Sequence, residues 1–127
     1  MDEIAVSLEW LQFAEMDLSS AEYLLAHRPL PKEIICFHCQ QAAEKMLKGI
    51  LAIHKIKPPK IHDLKRLCVM CEEYVQEIIN IKSACNILNQ YSVQPRYPKE
   101  IEITEDDVKD AVKQAKMVLD FLKPFFA

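Results

Sequence analysis

The sequence has almost no glycine: Gly49 is the only one in 127 residues. Folds that are rich in tight turns use glycine where the backbone needs a positive φ, so this shortage argues against a β-rich architecture. It also excludes a glycine-rich phosphate-binding loop, because such loops need several glycines to bring backbone N–H groups to a phosphate. We therefore expect long helices with few tight turns.

Long apolar runs and a secretion signal are also missing. No run approaches the roughly 18 residues that a membrane-spanning helix needs. Acidic residues at Asp2, Glu3 and Glu9 stand where a signal peptide would carry positive charge. Five cysteines, an odd number, without such a signal favour reduced thiols in the cytoplasm. We expect one cytoplasmic domain over residues 1–127, large enough to build its own core.

Hydrophobic periodicity predicts four long helices and one short one. The predicted helices run over Ile4–His27, Lys32–His54, His62–Cys71 (the short one), Glu73–Gln90, and from Thr104 to Pro124. Because the connections between them are short, the sequence predicts an all-α fold, an up-and-down antiparallel helical bundle.

Two local signals accompany this pattern. In the last helix, Thr104 followed three residues later by Asp107 resembles a capping box at the N-terminus. In the first helix, the apolar residues at helical spacing are expected to face the core. They are Ile4, Leu8, Leu11, Ala14, Leu18, Ala21 and Leu25.

The second helix carries polar residues that packing alone does not require. Gln40 falls inside its apolar arc and Glu44 at the edge of that arc. A buried polar group without a hydrogen bond costs about 1–3 kcal/mol, so Gln40 either ties down a neighbouring helix or faces a groove. Phe37 is predicted on the outward polar side with Lys48. It is either part of a surface for self-association or a single exposed aromatic residue.

Two Cys-x-x-Cys pairs, Cys36/Cys39 and Cys68/Cys71, have the spacing of zinc ligands. However, both pairs lie inside predicted amphipathic helices and no glycine accompanies them, so we expect core cysteines and no metal or other cofactor. His62 is predicted at the start of the short helix. There its imidazole could cap the helix or help backbone N–H groups to hold a phosphate.

Positive charge is concentrated between Lys45 and Arg66, where seven basic residues face one acidic residue. Such a segment can attract an anionic ligand, although a solvated helix end and basic loop would look the same. Further along, Arg96 could grip a phosphate through two donors, and Tyr91 and Tyr97 could stack on a base. The alternative is that Arg96 and Tyr97 fix their loop against the bundle.

Taken in order along the chain, these motifs resemble the HEPN family of small helical domains. The resemblance rests on Trp10, Ala14, Asp17-Leu18, Ala21-Glu22, Cys36-Phe37, Gln40 to Lys45, Leu47-Lys48, Pro58-Pro59, His62-Asp63-Leu64 and Arg96-Tyr97-Pro98. It implies a helical bundle that commonly dimerises. Many family members are metal-independent ribonucleases or toxins with a nucleotidyltransferase partner as antitoxin, and others are described as nucleotide-binding modules.

The nuclease members use an arginine followed, after four to six residues, by a histidine, and this chain departs from that pattern. No histidine follows Arg96; Ile101, Glu102 and Ile103 occupy the expected positions. The resemblance therefore implies a homodimeric module that binds a nucleotide or RNA and pairs with a nucleotidyltransferase. The expected ligand-binding residues are Arg96, Tyr97, Gln40, Glu44, Lys48 and His62, with Phe37 at the dimer interface.

Two alternatives stay open. The first is a divergent metal-independent ribonuclease toxin, in which Arg96 stabilises the phosphate and His62 acts as the base. The second is a structural dimerisation or partner domain that binds no ligand.

Overall fold

The computed structural model describes residues 3–92 and 102–126. Five α-helices make up the fold: α1 (Glu3–Leu24), α2 (Lys32–Ile53), α3 (Leu64–Cys71), α4 (Ile79–Asn89) and α5 (Glu105–Leu122). A 3-10 turn, Lys123–Phe125, follows α5. The described ranges contain no strand. The prediction of an all-α bundle with four long helices and one short helix is confirmed.

Helix α2 is the centre of the bundle, and it contacts α1, α3, α4 and α5. Fourteen of its 22 residues are buried. Small residues allow the close approach, and Gly49 is the extreme case. A Cβ at Gly49 would lie 2.8 Å from the ring of Phe126 and 3.0 Å from the Cβ of Trp10. The single glycine of the chain therefore serves packing rather than a turn.

Helix α1 buries much less of itself. Only Ser7, Ala14 and Ala21 of its 22 residues are buried. The predicted apolar stripe is wrong at its N-terminal end, because Ile4 and Leu8 are 50% and 41% exposed. The remaining leucines of the stripe are half-buried against the core. From Leu11 onward the predicted stripe faces the core, so the periodicity identified the buried side of α1 except at its N-terminal end.

The predicted end of α1 and the predicted start of α4 are wrong. Helix α1 ends at Leu24, before a turn, rather than at His27. Helix α4 begins at Ile79 instead of Glu73, because Glu77 takes a left-handed backbone conformation with φ 61° that a helix cannot accommodate. Val75 is nevertheless buried, so the helical spacing that suggested a longer helix reflects core positions in a turn segment.

Capping side chains stabilise the starts of α3 and α5. The Asp63 side chain accepts a hydrogen bond from the Lys65 N–H (3.0 Å) and caps α3, so His62 does not act as the cap. The capping box of α5 is confirmed. The Asp107 N–H donates to the Thr104 hydroxyl oxygen (3.1 Å), and the Thr104 N–H donates to the Asp107 carboxylate (2.9 Å).

All five cysteines are buried as free thiols, and the two Cys-x-x-Cys pairs lie in α2 and α3 as core residues. None of the helices in the described ranges has the length and hydropathy to cross a membrane.

Candidate functional site

A buried carboxylate on α2 collects hydrogen bonds from three directions. Glu44 is only 4% exposed. Its oxygens accept from Gln40 Nε2 (3.2 Å), from Lys48 Nζ (3.0 Å) and from His62 Nδ1 (3.0 Å). We call Gln40, Glu44, Lys48 and His62 the Glu44 cluster.

Helical spacing accounts for three of its members. Gln40, Glu44 and Lys48 are four residues apart, so they lie one above the other on α2. All three are buried, and Lys48 is 6% exposed. A buried ammonium group is tolerated only beside an opposite charge, and the Glu44 carboxylate provides it.

The fourth member, His62, comes from the loop before α3. Gln40 Nε2 donates to the His62 carbonyl oxygen (3.0 Å). On the other side of the loop, Asn89 Oδ1 accepts from the Leu64 N–H (2.9 Å), and Asn89 Nδ2 donates to the Asp63 carboxylate (3.1 Å). Both α2 and α4 thus hold the loop in place.

The result is a solvent-exposed imidazole fixed by a buried carboxylate. The His62 side chain is 64% exposed, whereas that of Glu44 is 5% exposed. Because a carboxylate only accepts hydrogen bonds, His62 Nδ1 carries the hydrogen, and a neutral ring then has its lone pair on Nε2. The neutral His62 ring can accept a proton at Nε2, and the protonated ring can donate that proton or bind an anion.

The comparisons with known proteins identify the family. A family model described as HEPN domain matches residues 7–124. The chain belongs to the HEPN family. Its Glu44 cluster lies within the matched range, as do all five α-helices except the first residues of α1.

One relative of this HEPN domain is a protein of Methanocaldococcus jannaschii named "Putative toxin MJ1304". It is 25% identical over 135 residues, a match that covers 91% of this chain and 85% of the relative. The chain is therefore similar to a protein described as a toxin.

Two solved structures are similar in fold. The crystal structure of ST0689, described as an archaeal HEPN homologue, superposes with a TM-score of 0.74 at 25% identity and covers 95% of this chain and 98% of its own. The crystal structure of TT1696 from Thermus thermophilus gives a TM-score of 0.77 at 25% identity, with 93% and 96% covered.

The HEPN domain brings four of the predicted site residues together: Gln40, Glu44, Lys48 and His62. The predicted orientation of Lys48 is wrong, since it is buried rather than outward-facing, and Glu44 lies inside rather than at an edge. Their burial depends on the loop before α3, which a helical wheel does not include.

Other predicted residues stand apart from the Glu44 cluster. Phe37, predicted on the outward side, is half-buried. Arg96 and Tyr97 lie outside the described residues.

Sequence reasoning missed two contributors. Gln41 Nε2 donates to Gln40 Oε1 (2.8 Å) and lies 3.5 Å from Glu44 Oε1. Asn89, at the end of α4, anchors the His62 loop. The Gln40-Gln41 repeat in the sequence could have indicated Gln41. Nothing in the sequence indicates Asn89, because its partners lie 25 and 26 residues away.

A second ionic cluster joins α1 to α2. Asp17 accepts from His38 Nδ1 (2.9 Å) and from Lys45 Nζ (2.6 Å). The Asp17 side chain is 12% exposed, and those of His38 and Lys45 are 30% and 25% exposed. This cluster fixes the pairing of the two helices. Within residues 3–92 and 102–126, no group of three His, Cys, Asp or Glu side chains is placed to hold a metal ion.

Proposed function

We propose that this HEPN domain binds the phosphate of a nucleotide or RNA at the Glu44 cluster, with His62 as the contact group. The observation that carries the proposal is the exposed His62 ring held at Nδ1 by buried Glu44. Lys48 neutralises Glu44, so a protonated His62 gives the cluster a net positive charge.

The surroundings of His62 favour an anion. In the connection from α2 to α3 and the first turn of α3, five exposed cations lie within twelve residues: Lys55, Lys57, Lys60, Lys65 and Arg66. None of them forms an ion pair with a carboxylate in the described part of the chain. The one acidic residue among them, Asp63, is engaged in capping α3. Such a surface attracts phosphates.

We place Arg96 and Tyr97 in the same proposed site. Arg96 follows Asn89 by seven residues in the sequence, and seven extended residues span at most about 25 Å. Asn89 is hydrogen-bonded to Asp63 beside His62. The sequence distance is therefore compatible with a phosphate bound between Arg96 and His62.

The second candidate function is metal-independent RNA cleavage, and a specific observation favours it. The carboxylate–histidine pair supplies the acid–base group that is missing after Arg96. Neutral His62 would take the proton of the 2′-hydroxyl, and Arg96 would stabilise charge on the phosphate. The similarity to a protein described as a toxin agrees with this candidate.

The two candidates are separated by one experiment. A short fluorescein-labelled single-stranded RNA is titrated with the full chain and its anisotropy is followed, while gel analysis detects cleavage. We expect His62→Ala and Arg96→Ala each to weaken binding about tenfold, the value of one lost charge-assisted hydrogen bond. His27→Ala and Arg28→Ala are the matched controls, because both residues are exposed and lie in the α1–α2 connection.

Each result has one meaning. Binding that depends on His62 and Arg96 without cleavage supports the binding module. Cleavage that both variants abolish supports the ribonuclease. Binding that neither variant changes, or no binding of the RNA, would overturn the proposal and leave the structural partner domain.

We also propose that the domain forms a homodimer and pairs with a nucleotidyltransferase. Five of the ten large apolar residues that are most exposed in the described ranges lie on α1, among them Phe13 (53%), Met16 (57%) and Tyr23 (83%). Glu9 and Lys45 line the same surface pocket as Phe13, which supports an interface with an apolar centre and a charged edge. Light scattering tests it: we expect Phe13→Glu to yield monomers. Half-buried Phe37 is the alternative position, and a monomeric Phe37→Glu with dimeric Phe13→Glu would move the interface there.

A further inference from the structure

A groove of about 360 Å³ lies between α3 and α4, away from the residues of the Glu44 cluster. Cys68 from α3 and Cys85 from α4 line it, together with Val69, Lys65 and Lys82. The groove is mostly apolar, and one of its two lysines, Lys82, is paired with Glu72 (2.6 Å). Cys68 and Cys85 both line the groove, although their exposed fractions are only 2% and 1%.

The two thiols interact with each other and differ in acidity. The hydrogen bond from Cys85 lowers the pKa of Cys68, and nearby Lys82 acts in the same direction against the effect of burial. The hydrogen bond to Cys68 and burial raise the pKa of Cys85. Cys85 therefore keeps its proton, and Cys68 is the member of the pair that more readily becomes a thiolate.

The other three cysteines are placed differently. Cys36, Cys39 and Cys71 are fully buried and do not line the groove. Burial raises the pKa of Cys71 to about 12 and raises that of Cys39 further still. Cys68 and Cys85 are thus the two cysteines that share a groove.

We propose that Cys68 and Cys85 form an oxidisable thiol pair that reacts with hydroperoxides and closes a reversible disulfide between α3 and α4. This assigns a modification site separate from the phosphate site proposed above. Its chemistry does not depend on that site.

The reaction balances in two steps. The Cys68 thiolate attacks the terminal peroxide oxygen and the O–O bond breaks. An alkoxide or hydroxide leaves and takes a proton from water, while Cys68 is oxidised by two electrons to a sulfenic acid. Cys85 sulfur then attacks Cys68 Sγ. The S–O bond breaks, and the leaving hydroxyl departs as water with the Cys85 proton. A dithiol reductant reduces the disulfide back to two thiols.

The test uses the folded full chain and hydrogen peroxide, followed by alkylation of the remaining thiols and peptide mass mapping. We expect the protein to lose two of its five free thiols and to give a Cys68–Cys85 cross-link that dithiothreitol removes. Trypsin leaves Cys68 and Cys71 in one peptide, residues 67–82, and Cys85 in residues 83–96. A Cys71→Ser variant, in which the cross-link must persist, therefore identifies the partner.

Cys85→Ser separates the two steps. We expect it to stop at a sulfenic acid on Cys68, which dimedone traps, with no cross-link. The proposal is overturned if Cys68 and Cys85 stay reduced under conditions that oxidise the protein unfolded in guanidinium, or if all five cysteines react at similar rates. If Cys85→Ser does not fold by circular dichroism, the wild-type map alone decides between these outcomes.

Discussion

The buried ion pair of the Glu44 cluster allows a quantitative test of what holds α2 in the bundle. Glu44 and Lys48 side chains are 5% and 8% exposed, and Lys48 Nζ lies 3.0 Å from the carboxylate. Glu44→Gln keeps the size of the side chain but leaves the Lys48 ammonium buried without an opposite charge. Breaking a buried pair in this way costs about 3–5 kcal/mol of the free energy of unfolding. For a domain of this size the loss corresponds to a fall in Tm of roughly 10–20 °C.

An exposed pair of almost equal length provides the control. Lys123 Nζ lies 2.9 Å from Glu15, but the two side chains are 58% and 46% exposed. Glu15→Gln should therefore cost no more than about 1 kcal/mol. The two ion pairs have nearly the same length, but Glu44 is buried and also accepts hydrogen bonds from Gln40 and His62, whereas Glu15 is exposed.

The double variant Glu44→Gln/Lys48→Met removes both charges. We expect it to recover most of the stability lost in Glu44→Gln, because no buried charge is left unpaired. Urea unfolding followed by circular dichroism at 222 nm gives all the free energies. Two results would refute the reasoning from burial. In the first, Glu44→Gln lowers the free energy of unfolding no more than Glu15→Gln does. In the second, the loss in the double variant is the sum of the losses in the two single variants.

Two further predictions use the same unfolding assay. Gly49→Ala should destabilise the protein by about 1–2 kcal/mol, because the added Cβ would meet the Phe126 ring at 2.8 Å and the overpacking outweighs the better helix propensity of alanine. Stability should fall above about pH 9 with respect to the Cys71 thiol. The pKa of Cys71 rises from 9.0 in the unfolded chain to about 12 on folding, so the unfolded chain loses this proton first. Cys71→Ala should flatten that alkaline decline.

Either prediction can fail clearly. A Gly49→Ala protein as stable as the wild type would mean that Trp10 and Phe126 move away from α2 without cost. An alkaline decline that is identical in Cys71→Ala would place its origin in other buried acids, such as Tyr91, whose pKa burial also raises.

The fold was predictable where local chemistry and packing agree. Thr104 and Asp107 predict the start of α5, because the two partners of the capping box are only three residues apart in the sequence. The start of α4 was not predictable, because Val75 and Ile78 are core residues at helical spacing while Glu77 between them is left-handed. The N-terminal end of α1 was not predictable for a different reason: Ile4 and Leu8 continue the apolar period although they are exposed.

The candidate site was predictable in membership but not in arrangement. Gln40 was marked by its position in an apolar arc, and His62 by the motif of the resemblance. The loop before α3, which Asn89 holds in place, decides two features of the site. It buries Lys48, and it brings His62 to Glu44 rather than to the start of a helix. Such contacts join residues 18 to 26 positions apart, beyond the reach of any helical period.

The position of α2 within the bundle has a consequence for amide hydrogen exchange. Because α2 contacts four other helices, its amides should exchange only when the whole domain opens, whereas α1 buries three residues and should open at lower free energy. The carboxylate that orients His62 is therefore carried by the part of the chain that opens last. Glu44 and His62 make their hydrogen bonds within α2 and the loop before α3, so detachment of α1 would break none of these bonds.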